Sequence, residues 1–501
     1  MDRRRRLLAT VGILTGLFLG ALDATVVGTS MPTIIAELGG LEVYFLVFSG
    51  FMVCQVVAVP VFGRLSDLYG RRRLHLLGVV LYVAASMACG VSRTMPQLIA
   101  FRSLQGVGAG CLMALSFTMI GDLFPLEQRA RMQGAISGVW GISSLAGPLL
   151  GGFITQHWGW PWVFYVNAPF GVASALMVQG AWKDDPRGAD GRPDLPGAAL
   201  LVAAAGALLG AFTAAGRGVG WRSPLVLGAL AASLFFLALL VVVERRTKRP
   251  FLQYDLYRSR LFTAGALTGC CAATVLFATT SYLPLFVQGV LGESPTRAGL
   301  ILVPMMVPWL LASGCSGMLL LRLGYRNMAV TGMALSTGGY VLLARLGPDA
   351  TWWGTALPLV AVGAGLGLTI APLLIAAQSS VSKERMGAAT SLTQFTRTMG
   401  AALGVAVMGA FLAAALAAHG PTVPGAPSAN DIVDPLRRRA FSQEQIDLWR
   451  LPLAKGMHGI FVIAAVAGAV GLLLALFIPG GRAQDQAVKR EPTVAAPGAK
   501  S

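Results

Sequence analysis

Asp23 and Arg102 are the two residues of this sequence whose types and positions best suit proton chemistry. Each lies inside a long apolar segment, where an isolated charge is costly and has to be paired, neutralised or placed in a wet cavity. The first segment leaves the membrane near Pro32, and the segment that contains Arg102 enters it from the same side near Pro96. Measured from that side, Asp23 lies about 13 Å deep and Arg102 about 9 Å deep, at roughly 1.5 Å per helical residue. We therefore predict that the two side chains meet and form a proton site; a static structural ion pair is the alternative.

Arg397 is another charge deep inside an apolar segment, in the second half of the chain. Its guanidinium could attract an anionic substrate. It could instead bond to the carbonyl groups of its own helix, and the sequence leaves both interpretations open.

A charged loop with the sequence GRLSDLYGRRR joins two apolar segments at residues 63–73. Its glycines permit tight helix ends, and its acidic residue can meet a helix N-terminus. Arg72 can reach Asp122, which lies at the end of a later apolar segment. We predict a charge cluster that latches one conformation, whereas an ordinary basic loop is the alternative. The predicted cluster consists of Gly63, Asp67, Gly70, Arg72 and Asp122.

Another segment is rich in small residues and contains one proline. Pro148 would kink this helix, and the glycines around it would let neighbouring helices approach closely. The residues that define it are Gly134, Gly147, Pro148, Gly151 and Gly152.

These residues must be positioned by membrane helices. Of the 501 residues 55% are hydrophobic, and only 12% are charged, against about 25% in soluble globular domains. The sequence predicts an all-α membrane protein with fourteen transmembrane helices of about 20 residues or more. The predicted spans are 7–31, 43–62, 74–91, 96–120, 131–154, 161–182, 195–215, 224–243, 261–289, 298–320, 327–346, 352–379, 387–418 and 457–479.

The distribution of charge predicts the orientation of the chain and excludes several functions. Lys and Arg concentrate in the loops that lie on the same side of the membrane as the N-terminus. Both termini are therefore expected in the cytoplasm of a bacterium, with the chain in its inner membrane. Because the net charge of +17 lies between apolar segments, no nucleic-acid partner is expected. The cysteines lie within apolar segments, the histidines are scattered, and no phosphate-binding loop is present. We therefore expect no catalytic residues, no metal site and no cofactor, and transport energy from a proton gradient.

Glycines reveal an internal repeat. Gly147 and Gly151 recur at Gly400 and Gly404, displaced by 253 residues. Gly63 and Gly70 recur at Gly317 and Gly324, displaced by 254, and Gly108 and Gly110 recur at Gly363 and Gly365, displaced by 255. This alignment gives Asp23 and Arg102 the apolar counterparts Val275 and Leu357. Two six-helix bundles that rock about a central cavity would follow from such a duplication.

The repeat also predicts the domain boundaries. Residues 1–182 form an N-terminal six-helix bundle, and 183–256 form a linker with two inserted transmembrane helices. Residues 257–480 form a C-terminal six-helix bundle with a long outer loop at 419–456, and 481–501 form a disordered cytoplasmic tail. Within the outer loop, Ser442 and Gln445 predict a capping box that opens a short amphipathic helix through Trp449.

Five segments together resemble the major facilitator superfamily, and within it the fourteen-helix drug:proton antiporters. The segments are LDATVVGTSMP at 22–32, GRLSDLYGRRR at 63–73, RSLQGVGAG at 102–110, GPLLGG at 147–152 and RTMGAALGVAV at 397–407. The resemblance covers nearly the whole chain. The chain also departs from the family pattern at several positions. Gly28 replaces the family's usual Asn, Leu68 replaces a basic residue, and Ser143 replaces a Gly. Leu46 and Phe51 replace the Trp and Tyr of the second helix.

The resemblance implies proton-coupled export of amphipathic drugs or toxic small molecules by alternating access. Asp23 and Arg102 would couple the proton, the cluster at 63–73 would act as a charge relay, and the helix with Pro148 would be the antiporter helix. The expected partners are an amphipathic small molecule, protons and the lipid bilayer, and we expect a monomer. A dedicated exporter of one endogenous metabolite or self-made antibiotic is the alternative. The substrate cavity is predicted to include Gln55, Met113, Trp140, Tyr282 and Gln394.

Overall fold

The computed structural model describes residues 2–124, 126–182, 195–215, 219–246, 254–381, 386–420, 429–433, 438 and 440–480. Every element in this part is a helix. The predicted tail at 481–501, and most of the predicted outer loop between 421 and 437, lie outside the described residues.

Nine helices are found in the described residues of the first half of the chain. They are α1 (Arg3–Leu38), α2 (Phe45–Tyr69), α3 (Arg71–Gly90), α4 (Met95–Leu123), α5 (Leu126–His157), α6 (Pro161–Tyr165), α7 (Asn167–Ala181), α8 (Leu195–Ala214) and α9 (Pro224–Arg246). The short α6 and the longer α7 follow each other directly and together make one apolar segment, Pro161–Ala181.

The second half repeats this arrangement with a few interruptions. A 3₁₀ turn at Tyr254–Arg258 precedes α10 (Arg260–Leu285), which a π-helical turn extends through Phe286–Val290. The remaining helices are α11 (Pro295–Leu300), α12 (Val303–Leu343), α13 (Trp352–Ser379), α14 (Met386–His419), α15 (Ala429–Val433) and α16 (Gln443–Leu476).

Twelve helical segments of the described chain are long and apolar enough to cross a membrane, so the protein is a multi-pass membrane protein. Two predicted spans fall outside that count. The apolar part of α8, Ala199–Ala214, is shorter than the others. The other is the second arm of α12, which continues the helix after a break at Gly324, where φ is 74°. The backbone at Gly70, between α2 and α3, adopts a similar conformation with φ 95°, which favours glycine.

The chain termini and the loops can be assigned to two ends of the bundle. The start of α1 and the finish of α16 lie at one end, here called the termini end, where Arg260 Nε donates to the Phe477 carbonyl at 2.9 Å. The opposite end, which holds the α1–α2 and α5–α6 connections, is called the far end. The largest buried apolar cluster contains far-end residues of both halves, including Tyr44, Phe45 and Phe286.

Helix contacts reproduce the sequence repeat in three dimensions. A Cβ at Gly147 or Gly151 of α5 would overlap Thr25 or Thr29 of α1. At the repeated positions, a Cβ at Gly400 or Gly404 of α14 would overlap Cys270 or Thr274 of α10. The pairs α1–α5 and α10–α14 therefore pack through equivalent glycines, because small residues allow close helix approach.

The structure corrects the repeat in α4. Gly106 and Gly110 face the α2 carbonyls of Phe51 and Gln55, and Gly108 faces Tyr82 of α3. In the second half, Gly363 and Gly367 face the α12 carbonyls of Met305 and Trp309, while Gly365 faces Gly332 in the second arm of α12. Equivalent contacts thus pair Gly106 with Gly363, which is a displacement of 257 residues in place of 255. A short glycine run matches itself at several offsets, and only the contacts show which offset is real.

The last helix differs from the prediction at its start. Ser442 and Gln445 form the predicted capping box. However, the helix they open is α16 itself, which runs without a break from Gln443 to Leu476. The predicted short amphipathic helix is therefore the first part of the final span, and the outer loop ends before 443 and not at 456.

Candidate functional site

Asp23 of α1 and Arg102 of α4 are in direct contact, as their predicted depths required. Arg102 Nη1 donates to Asp23 Oδ2 at 2.5 Å. Only 2% of Asp23 and 1% of Arg102 is exposed. At such low exposure an ion pair persists only if further hydrogen bonds satisfy its remaining polar atoms.

Gln105 supplies two of those bonds, while Arg102 Nε stays buried without a partner among the described residues. It lies one helical turn after Arg102 on α4, so the two side chains share a face. Its Nε2 donates to Asp23 Oδ1 at 3.1 Å, and its Oε1 accepts from Arg102 Nη1 at 2.7 Å. Both carboxylate oxygens of Asp23 therefore have a donor, and the three side chains form a closed triangle.

The triangle continues into a polar network on α3 and α7. Gln105 Nε2 also donates to Ser86 Oγ at 3.2 Å, and Asn167 Nδ2 donates to the same oxygen at 3.0 Å. Ser86 in turn donates to the Phe164 carbonyl at 2.9 Å. Five helices of the first half, α1, α3, α4, α6 and α7, thus meet at one buried hydrogen-bond network. Sequence analysis missed Gln105, Ser86 and Asn167, although an amide one turn from a buried arginine was a usable signal.

An aromatic ring covers the guanidinium. Arg102 Cζ lies 4.2 Å from the ring centroid of Phe51 on α2, and 5.9 Å from that of Phe164. A cation placed over a ring face is attracted by the ring quadrupole, and more strongly where water is excluded. The departure at Phe51 therefore keeps an aromatic face on Arg102. In this conformation the ion pair is shielded from water. A static structural ion pair, the alternative to a proton site, would have the same geometry.

The second half has no charge at the equivalent place. Val275, the predicted counterpart of Asp23, is fully buried, and so is Thr268, the position that the contacts of Gly147 with Thr25 and of Gly400 with Cys270 make equivalent to Asp23. The Val275 carbonyl accepts from Tyr340 at 3.1 Å, and the Tyr340 hydroxyl also contacts Thr279 Oγ1 at 2.6 Å. The predicted counterpart of Arg102, Leu357, is wrong, because it is 65% exposed. The corrected displacement points to Leu359, which is fully buried.

The charge cluster forms at the termini end with a different arginine. Arg71 Nε pairs with Asp122 Oδ2 at 3.3 Å, and Arg71 Nη1 donates to Ser66 Oγ at 2.5 Å. Arg72, which was predicted to reach Asp122, donates to the Trp182 carbonyl at 3.4 Å. Gly70 makes the turn between α2 and α3, whereas Gly63 has open space around it.

Two predicted site residues fall largely outside the described part of the structure. Asp67 lies in α2 and Gly134 lies in α5, but the structure describes neither the Asp67 side chain nor the surroundings of Gly134.

The proline-containing helix α5 contacts both halves of the protein. Its glycines at 147 and 151 face α1. At Gly152, a Cβ would overlap the Pro295 carbonyl of α11, and a Cβ at Gly299 would overlap the Pro148 carbonyl. Backbone therefore meets backbone where α5 crosses α11, and this contact joins the halves near the far end.

Other contacts between the halves also lie at the far end. Gln288 Nε2 donates to the Thr29 carbonyl at 3.0 Å, and Thr296 Oγ1 donates to Gln156 Oε1 at 2.5 Å. A Cβ at Gly28 would overlap the Thr280 carbonyl of α10. The family's usual Asn has no room there, which explains the departure at Gly28. Within the described residues, the hydrogen bonds between the halves thus lie at the far end, which is the end that polar contacts close. Toward the termini end, α2 and α14 share an apolar cluster that includes Val57 and Leu392.

The predicted cavity residues divide into two groups. Gln55, Met113, Trp140 and Gln394 are partly exposed, and Gln55 Nε2 donates to Met113 Sδ at 3.9 Å. Tyr282, in contrast, is fully buried. Its hydroxyl donates to the Val405 carbonyl at 2.5 Å, and its ring packs against Tyr44 with the centroids 5.6 Å apart. In this conformation Tyr282 is thus a packing residue of the closed far end.

Arg397 lies in α14 beside α10. A Cβ added at Gly269 would be 3.5 Å from Arg397 Cγ, so the arginine stem lies along α10 where α10 carries no side chain. Arg397 is partly exposed.

Comparison with known proteins gives a consistent result. The Major Facilitator Superfamily model matches twice, at residues 13–202 and 195–405. The Multidrug transporter protein MdtP of Bacillus subtilis is 34% identical over 415 residues, which cover 81% of this chain and 75% of that protein. The Multidrug resistance protein Stp of Mycobacterium tuberculosis is 31% identical over 423 residues, covering 83% of this chain and 77% of that protein.

Solved structures share the fold. A bacterial homologue of the human lysosomal transporter Spinster, in an inward-facing and unoccupied conformation, superimposes with a TM-score of 0.67 at 17% identity, over 95% of this chain and 98% of that one. An auto-inhibited peptide transporter of the POT family gives a TM-score of 0.66 at 17% identity, over 98% of both chains.

Proposed function

The chain belongs to the Major Facilitator Superfamily, and from that premise we propose that it exports amphipathic drugs or other toxic small molecules in exchange for protons. Membership makes it a transporter and not an enzyme. The names of its multidrug relatives support drugs as the cargo. The energy source in this proposal is the proton gradient, and no cofactor takes part.

One observation carries the proposal: a short stretch of α1 joins the buried carboxyl to the contacts between the halves. Asp23 bonds to Arg102, while Thr25 Oγ1 donates to the Ser143 carbonyl of α5 at 3.1 Å. Gly28 lies against the backbone of α10, and the Thr29 carbonyl accepts from Gln288. A movement of one half against the other must therefore act on the helix that holds Asp23.

The proposed cycle follows from this connection. In the conformation described, the far end is closed and Asp23 is held by Arg102 and Gln105. When the halves rock, α1 shifts against α4, and the distance between the carboxyl and the guanidinium changes. Since the proton affinity of a carboxyl depends on burial and on nearby charge, Asp23 takes up a proton in one state and releases it in the other. Cargo binds when the proton leaves.

The proposal includes the topology of the fourteen-helix antiporters. The shorter α8 and the second arm of α12 would complete fourteen crossings, with both termini in the cytoplasm and the chain in a bacterial inner membrane. In that orientation the closed far end faces outward. The structure then corresponds to a state that receives cargo from the cytoplasm or the inner leaflet.

Transport in reconstituted vesicles tests the proposal. Under an imposed pH gradient, we expect the wild type to move several unrelated amphipathic drugs against their gradients, and Asp23→Asn to lose this movement while still catalysing exchange of labelled for unlabelled drug. Glu293→Gln is the matched control, because within the described part of the chain the basic partner of Glu293 is Arg297, one turn away on the surface. Full pH-driven transport by Asp23→Asn would refute the proton role, and a response to one compound alone would favour the single-metabolite exporter.

A further inference from the structure

The Arg397 guanidinium has no partner among the described residues. No hydrogen bond or ion pair involves it, either with helix carbonyls or with another side chain of the described structure, and its nitrogens are absent from the buried atoms that lack a partner. The interpretation in which Arg397 bonds to carbonyls of its own helix is therefore wrong. Its head group reaches open space.

That open space must contain water. Arg397 lies eleven residues from the start of α14, which is about 16 Å at roughly 1.5 Å per residue. An unpaired guanidinium facing lipid tails at such depth would be prohibitively unstable. The stem lies against Gly269 of α10, and the residue is partly exposed, so the head group ends beside the α10–α14 contact in space that water can enter.

A second polar side chain lies on the same face of α14. Gln394 precedes Arg397 by one helical turn. Its Oε1 is buried without a hydrogen-bond partner, but this oxygen can only accept a hydrogen bond, so toward an anion the amide can act only through its Nε2. An amide and a guanidinium one turn apart can together hold one carboxylate or sulfonate group.

The charge balance of the membrane interior favours an anion. The Asp23–Arg102 pair is neutral as a unit. The helices α10, α11, α12, α13 and α14 contain no Asp or Glu, so Arg397 is uncompensated in the second half. In a cavity of low dielectric, one uncompensated positive charge repels cationic cargo and attracts anionic cargo.

We infer that Arg397, assisted by Gln394, is the subsite for an acidic group of the cargo, and that the preferred cargo is an amphipathic anion. This inference rests on the proposed export function. It has a consequence for energetics: when one monovalent anion leaves as one proton enters, two positive charges in effect move inward. Export would therefore be driven by an inside-negative potential as well as by the pH gradient. Export of a monovalent cation against one proton would be electroneutral.

Dansylglycine and dansylcholine test the inference, since they share a fluorophore and differ in charge. Equilibrium binding to the full chain in detergent is the first measurement. We expect the wild type to bind dansylglycine more tightly, Arg397→Gln to weaken that binding at least about tenfold, and dansylcholine binding to change less than about threefold. Arg397→Lys should retain most of the preference, and Arg345→Gln, which removes an exposed arginine, is the control.

Several outcomes would overturn the inference. Equal binding of the two probes by the wild type would do so. An equal loss of both probes in Arg397→Gln, with Arg397→Lys no better, would show a structural role instead. Vesicle transport separates this failure from that of the proposed function: pH-driven export without charge preference refutes only the anion subsite. Anion preference in binding without pH-driven export of either probe refutes only the proton coupling.

Discussion

At the scale of single residues, the sequence predicted the partners of the buried ion pair but not its surroundings. Asp23 and Arg102 stood out because charge is rare in apolar segments. Gln105 and Phe51 did not, since amides and aromatic residues occur in membrane helices for many reasons. Their roles depend on helix rotation and on contacts between distant segments, which only coordinates supply. The same limit applies to the charge cluster, in which Arg71 and not the predicted Arg72 pairs with Asp122. The two arginines are neighbours on α3, and helix rotation decides which of them faces Asp122.

The stability of the ion pair can be predicted at this scale. Arg102→Met leaves the Asp23 carboxylate buried with Gln105 as its remaining donor, so we expect a loss of about 3–5 kcal/mol in unfolding free energy. The double variant Asp23→Asn/Arg102→Met removes the uncompensated charge and should recover part of that loss. Chemical unfolding in detergent micelles measures both.

The exposed pair Arg297–Glu293 provides the matched control. Its side chains are 62% and 33% exposed, and such pairs contribute at most about 1 kcal/mol. Arg297→Met should therefore have a small effect. If Arg102→Met destabilised the protein no more than Arg297→Met, the buried pair would not contribute to folding as described.

At the scale of helices, the sequence predicted which helices carry small side chains and pack closely, but it did not predict all of their contacts. The glycines around Pro148 indicated close packing, and the repeat indicated an equivalent helix in the second half. The contact of Gly152 with α11 joins segments that are far apart in sequence and belong to different halves, so no local pattern reports it. The start of α16 was missed for another reason: Pro452 and the polar residues near it resemble a loop, although the capping box starts one continuous helix.

Gly28 gives a prediction about these helices. Gly28→Asn places a side chain against the Thr280 carbonyl, so α1 and α10 should separate at the far end. A short bis-thiol cross-linking reagent bridging cysteines introduced at 156 and 296, whose native side chains are hydrogen-bonded, would report this. We expect cross-linking to be fast with Gly28 in place and slower with Gly28→Asn. Gly206→Ala is the control, since nothing lies within 4 Å of a Cβ there. Unchanged cross-linking in Gly28→Asn would mean that Gly28 does not determine closure.

At the scale of the whole molecule, the repeat predicted two equivalent halves, and composition predicted a membrane protein. Both follow from patterns that extend over hundreds of residues and tolerate local error, such as the two-residue shift in α4. The conformation could not be predicted, because one sequence must be compatible with every state of the cycle. The closed far end and the open space at Arg397 are therefore information that only the structure provides.

Proton release on cargo binding tests the central claim most directly, because it observes the proton itself without a membrane or a gradient. Detergent-solubilised protein in weakly buffered solution with a pH indicator would be mixed with a saturating amphipathic drug. With one coupling carboxyl, we predict that a scan of the starting pH finds a range in which the wild type releases up to about one proton per molecule, and that Asp23→Asn, which still binds the drug, releases none at any pH. Equal proton release by the two proteins would contradict the account.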